Sequence, residues 1–249
     1  MVQKKKSEVI YYDGENLSKK EIEDKIKIWE SQAKAEMNKF DFDVFQYYLS
    51  KYIDFKKEYR CLDACCGPGH VSFKLEKETP FNMVGMDLSN IVMIAANRIK
   101  TSNGFETELI RGDLERNCFK DESFDLIFII NALHHFPDFD VPIKSMHRIL
   151  RKKGLLIVRD SNLLFLPILL RNTKCKIMGK PWGSVNERPF TKFHLQKSLL
   201  NTGFKVKYLR HIRYLPLFLV RNRLEIDESI SKIPIVNLFG NVVLGIAQK

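Results

Sequence analysis

Asp63, Cys65, Gly67 and Gly69 occupy alternate positions of the run Asp63-Ala64-Cys65-Cys66-Gly67-Pro68-Gly69. A second apolar run, Asn82-Met83-Val84-Gly85-Met86, ends on Asp87. These types at this spacing suit one kind of chemistry. Glycines let backbone N–H groups come close to a ligand. An acidic residue about 20 residues further on, at the end of the next strand, accepts hydrogen bonds from ribose hydroxyls. The pattern describes a cradle for a nucleotide-like cofactor at the carboxyl end of a parallel sheet. The order D-x-C-x-G-x-G is not the G-x-G-x-x-G of nicotinamide-binding turns.

The run resembles motif I of class I S-adenosylmethionine (SAM) dependent methyltransferases, D/E-x-G-x-G-x-G. Further segments match that family in order. Val84-Gly85-Met86-Asp87-Leu88-Ser89 resembles its second motif, and Ile110-Arg111-Gly112-Asp113-Leu114 the segment beside adenine. Phe124–Asn131 resembles its fourth strand, and His147–Gly154 its R-V-L-K-P-G-G. The likeness covers about residues 58–160 and is closest to the methyltransferase type 11 group, which includes quinone-biosynthesis enzymes. Two positions depart from the pattern. Cys65 stands where the family has its first glycine, at a site where positive φ is costly for other residues. Ser145 stands where a glutamate is common.

The resemblance implies SAM as cofactor. Asp63 would anchor the turn and the cofactor's amino group, with Cys65, Gly67 and Gly69 along the amino acid and ribose side. Asp87 would take the ribose hydroxyls and Leu88 the adenine face. Asp113 and Leu114 would meet the adenine edge, and Asn131 the methionine part. His134 and His135, just after the fourth strand, are the candidate catalytic residues, since imidazole moves protons near neutral pH. No cysteine or histidine spacing suggests a metal.

Elements that could hold these residues follow from periodicity. Strands are expected at 60–65, 82–87, 107–111, 124–130 and 154–159, with helices at 70–78, 89–100 and 139–152 between them. Such alternation means an α/β fold, a parallel sheet covered by helices on both faces. Ser18 and Asp41 are placed to cap two earlier helices. A helix from Thr191 to about Gly203, a strand at 205–214 and a last strand at 241–248 resemble the antiparallel hairpin that closes the Rossmann-like methyltransferase sheet. We expect one domain: a helical cap over 1–57, a cofactor core over 58–160, and substrate-side insertions at 161–190 and 215–240.

The chain of 249 residues can bury a sizeable core. Five cysteines without C-x-x-C spacing fit a reducing compartment, and no secretory signal is visible, so a cytoplasmic location is expected. Charge is uneven. Residues 1–150 carry a net −3 and residues 151–249 a net +14. The insertions and their flanks mix apolar runs with Arg171, Lys174, Lys176, Lys180, Arg210, Arg213, Arg221 and Arg223. That mixture suits a small-molecule or lipid-linked acceptor, anionic and amphipathic, met at a membrane face. Two rival readings stay open. A basic surface also suits RNA, although the N-D-P-P-Y motif of nucleic-acid N-methylating enzymes is missing. A non-catalytic SAM-binding scaffold is the other.

Overall fold

The computed structural model describes residues 9–10, 12–39, 42–117, 119–180, 187–214 and 223–249. Each near-continuous apolar run becomes a strand of one sheet: β1 (Arg60–Ala64), β2 (Asn82–Asp87), β3 (Glu108–Arg111), β4 (Phe124–Ile130), β5 (Leu150–Ser161), β6 (Lys205–Ile212) and β7 (Val242–Gln248). The spatial order is β3-β2-β1-β4-β5-β7-β6, with β7 antiparallel to both neighbours and the other pairings parallel. The order reverses between β1 and β4. In an open α/β sheet that reversal opens a crevice beyond the carboxyl ends of the strands.

The helices are α1 (Lys19–Lys39), α2 (Phe42–Leu49), α3 (His70–Glu78), α4 (Asn90–Asn103), α5 (Asp140–Ile149), α6 (Leu166–Ile177), α7 (Lys192–Asn201) and α8 (Leu224–Ile230). Strand side chains alternate between two cores. Leu126, Phe128 and Ile157 pack with Phe45 and Leu49 of α2 and Val71 and Leu75 of α3. Ile127, Ile129 and Leu156 pack with Ile143 and Met146 of α5 and Leu195 and Leu199 of α7. The sheet is therefore covered on both faces, and its last two strands form the expected antiparallel hairpin.

Ser18 does cap α1. Its hydroxyl accepts from Glu21 N–H at 3.3 Å. In return Glu21 Oε2 accepts from Ser18 N–H at 2.8 Å. The two bonds make a reciprocal capping box. Asp41, the expected cap of α2, lies outside the described residues, as do 181–186 and 215–222 of the insertions. One boundary moves. The sequence places a helix over 139–152 and a strand over 154–159, but α5 ends at Ile149 and β5 starts at Leu150. Leu150 is fully buried and pairs with Phe124, so sheet burial wins over the helical pattern. Gly154 marks the irregularity: a side chain there would meet the carbonyls of Arg151 and Asp125 at 2.9 Å.

Candidate functional site

The turn after β1 carries the cradle. Cys65 has φ 61° and Gly67 has φ 55°. The cysteine thus takes the left-handed conformation in which glycine costs less. Asp87, at the end of β2, ties the turn down: its Oδ2 accepts from Gly67 N–H at 2.9 Å and its Oδ1 from Ser89 N–H at 3.0 Å. Asp63 is 2% exposed, and its Oδ2 accepts from Ser72 Oγ at 2.6 Å, which fixes the start of α3 against β1. Burial pushes the Asp63 carboxyl up to about 7, against the pull of the Ser72 bond.

A cavity of about 430 Å³ opens over this turn, within the roughly 300–1,000 Å³ range of small-molecule sites. Asp63, Cys65, Gly67, Asp87, Leu88, Asp113, Leu114, Asn131 and His135 all line it. Two expected residues do not. Gly69 (φ 83°) turns toward the core, where a side chain would strike Phe73 at 2.5 Å; it serves the turn rather than the cavity wall. His134 lies behind His135. Its Nδ1 is 2.7 Å from Oδ1 of Asp160, which is fully buried, and its Nε2 is 3.8 Å from Glu187 Oε1. Asp113 Oδ1 accepts from Glu115 N–H at 3.0 Å and so caps the short turn that presents Leu114. Ser145 donates its hydroxyl to Leu114 O at 2.7 Å, and so fastens that same turn from α5.

The far wall comes from residues that sequence reasoning missed. Tyr12, Trp29, Gln32 and Glu36 reach over the cavity from the N-terminal segment and α1. Tyr12 Oη lies 3.1 Å from His135 Nε2. Neighbouring Asp13 holds the segment in place: it accepts the N–H groups of Asn90 and Ile91 at 3.0 and 3.1 Å, and the Ser89 hydroxyl. A carboxylate at a helix N-terminus is favoured by the orphan donors and dipole there. No periodicity links Tyr12 to His135, so only the fold could pair them.

Burial, reinforced by His134, pulls the His135 imidazole down to about 3, so it is neutral through the physiological range. The Asp160 carboxylate accepts a hydrogen bond from Nδ1 of His134, whose Nε2 is turned toward Glu187. Sequence spacing offered no metal ligands, yet the donor atoms of His134, His135 and Glu187 come within 4.8 Å of one another. One nitrogen of each ring is already committed, to Asp160 and to Tyr12. The other nitrogen of each ring is left toward Glu187 and its neighbour ring. Burial pushes the Cys65 and Cys66 thiols well above their ordinary range, so neither is a thiolate nucleophile.

Residues 55–201 match the methyltransferase-domain family. The chain belongs to that family. The chain's strand order and fold are those of solved SAM-dependent methyltransferases. One such neighbour, an S-adenosylmethionine dependent methyltransferase of Mesorhizobium loti, has a TM-score of 0.59 at 17% identity, over 83% of this chain and 98% of that one. Another, a SAM-dependent methyltransferase of Thermotoga maritima described as a possible histamine N-methyltransferase, has a TM-score of 0.59 at 17% identity, over 83% and 87%. At these identities the likeness concerns the fold. A demethylmenaquinone methyltransferase of Staphylococcus aureus is 30% identical over 122 residues, 48% of this chain and 50% of that one. The chain thus matches about half the length of its curated relatives.

The cofactor of this family is SAM, and the residues fit it. The cradle leaves Gly67 open on its cavity side, with nothing within 4 Å of where a side chain would stand. Asp87 borders the cavity beside it. Cys65 departs from the family glycine at a strained position, and this gives a direct expectation. Relief of the left-handed conformation is worth about 1–2 kcal/mol, partly offset by the entropy of glycine. Cys65→Gly should therefore raise the urea midpoint modestly and keep or improve SAM affinity. A lower midpoint and weaker SAM binding together would mean that the thiol itself is needed.

Proposed function

We propose that this chain transfers a methyl group from SAM to an oxygen or carbon of a small, largely apolar acceptor, lipid-linked in its native form. One observation carries the reading: a continuous cavity runs from the cofactor cradle to the Tyr12–His135 pair. Bound SAM supplies an electrophilic methyl group on a sulfonium. Asp87 and the amides of the turn orient the cofactor. Trp29, Phe136 and the N-terminal cap exclude water, which strengthens every polar contact inside. His135, neutral and facing Tyr12, accepts the proton of an acceptor hydroxyl as the new bond forms, with Asp160 steadying His134 behind it. The curated relatives are demethylmenaquinone methyltransferases, which favours a quinone-like acceptor.

The exposed part of α6 supports delivery from a membrane. Among the described residues no helix is long and apolar enough to cross a bilayer. Yet no residue of α6 is buried. Leu166 is 59% exposed, Leu170 61% and Ile177 81%. At 3.6 residues per turn these three fall within about 40° of one another around the helix. Lys174 and Lys176 flank that stripe on either side. An apolar stripe edged by lysines suits the surface of an anionic bilayer.

The test is transfer of labelled methyl from SAM, with a lipid extract and with short-chain quinols as acceptors. Label in the organic phase is expected, with recovery in floated anionic vesicles at low salt. A chain that binds SAM but labels neither would be a SAM-binding scaffold. Label appearing in RNA instead would move the acceptor to nucleic acid.

A further inference from the structure

Arg159 stands near the carboxyl end of β5. Leu155 and Ile157 of that strand face the core under α2 and α3, and two-residue alternation puts Arg159 on the same face. Its guanidinium donates to Asn131 Oδ1 at 3.2 Å. A guanidinium has five N–H donors and always seeks acceptors. Among the described residues no carboxylate lies within ion-pair distance of it. The charge felt most strongly there is a second guanidinium, Arg213, ahead of the carboxylates of Asp160 and Glu36. Those two acids offset part of the charge, but neither bonds to it. Burial and Arg213 together pull Arg159 down to about 10, which leaves it charged at neutral pH.

Leaving a half-buried cation with one neutral partner is costly unless something completes it. Asn131, its partner, lines the cavity, as does His70, whose Nδ1 is buried without a hydrogen bond. Arg213 is held beside it in a strained conformation, φ 63°, by the bond from its N–H to Asp227 Oδ2 at 2.8 Å. Arg159 thus meets the cavity through Asn131, its hydrogen-bond partner in the wall.

We propose that Arg159, presented by Asn131 and backed by Arg213, binds a carboxylate or phosphate group of the ligand entering this end of the cavity. The inference rests on the methyltransferase reading and narrows it: the acceptor carries an acid group. The same chemistry exists in the cofactor's own methionine carboxylate. Position favours the acceptor: Asn131, expected beside the methionine part, follows β4, and Arg159 lies one strand further out. Arg159 is on β5, two strand spacings, roughly 10 Å, from the glycine turn of β1.

The test uses the full chain loaded with S-adenosylhomocysteine and three probes of equal length: octanoate, octyl phosphate and octanol. Calorimetry should show the acids binding about tenfold or more tightly than the alcohol, as a charged hydrogen bond implies. Arg159→Gln should erase that preference and Arg159→Lys keep part of it. Equal binding of acids and alcohol to the unaltered chain overturns the proposal, whatever the variants do. A second arm compares SAM with decarboxylated SAM. If Arg159→Gln weakens SAM but not the decarboxylated form, the anion is the cofactor's and the acceptor assignment falls. Acid preference without any methyl transfer would sink the enzyme reading while leaving the subsite standing.

Discussion

His135→Ala should lower the rate of methyl transfer to a hydroxyl acceptor by about 100-fold, the low end of the range for a positioned proton acceptor. The low end applies because burial has pulled the imidazole down to about 3, well under the working pH. SAM affinity should fall far less, since the ring's Nε2 faces Tyr12 while the glycine turn is held by Asp87. Tyr12→Phe should cost roughly tenfold, one hydrogen bond to the same nitrogen. The pH dependence has a definite sign. In the unfolded chain His135 titrates near its ordinary value of about 6.5. Folded, it stays neutral down to about 3. Between those values the unfolded state holds the extra proton, so the group destabilises the fold as pH drops below about 6.5. His135→Gln should flatten that acid limb in chemical denaturation. The rate profile of the unaltered enzyme should show no inflection from His135 between about pH 5 and 8. A rate unchanged by His135→Ala would remove the residue from the chemistry.

What was legible in the sequence is the part whose signals are local. Apolar runs ending near Asp63, Asp87 and Asn131 read as strands whose carboxyl ends meet at one edge, and all three residues line the cavity there. The helix cap at Ser18 was equally local: its hydroxyl accepts from Glu21 N–H at 3.3 Å. Three things were not legible, each for a physical reason. Cys65 was expected to resist a positive φ, and it adopts one, because the amide of Gly67 is pinned to Asp87 from the next strand. Tyr12 and Glu187 meet the two histidines across 123 and 53 positions of chain, respectively, and no periodicity reports a contact that tertiary packing creates. The start of β5 lay inside a helical pattern because Arg151, Lys152 and Lys153 are good helix formers. Pairing of Leu150 with Phe124 in the sheet outweighs that propensity.

Asp87→Ala should weaken SAM binding by about 1–3 kcal/mol, or roughly 5- to 150-fold, through two losses at once. The first is an acceptor for the ligand's ribose hydroxyls. The second is internal. Both carboxylate oxygens are already engaged, with Gly67 N–H at 2.9 Å and Ser89 N–H at 3.0 Å, so alanine also frees the turn and the approach to α4. Asp87→Asn separates the two. Its amide oxygen can still accept from one of these backbone groups, while its NH₂ must face the other donor or the cavity. If holding the turn matters most, Asn should recover much of the affinity and the urea midpoint together. If the ribose contact matters most, Asn should restore the midpoint while SAM stays weakly bound. Calorimetry alongside urea titration reads both quantities. Unchanged affinity in Asp87→Ala would take the residue out of the cofactor site, and with it the argument that spacing alone identified the cradle.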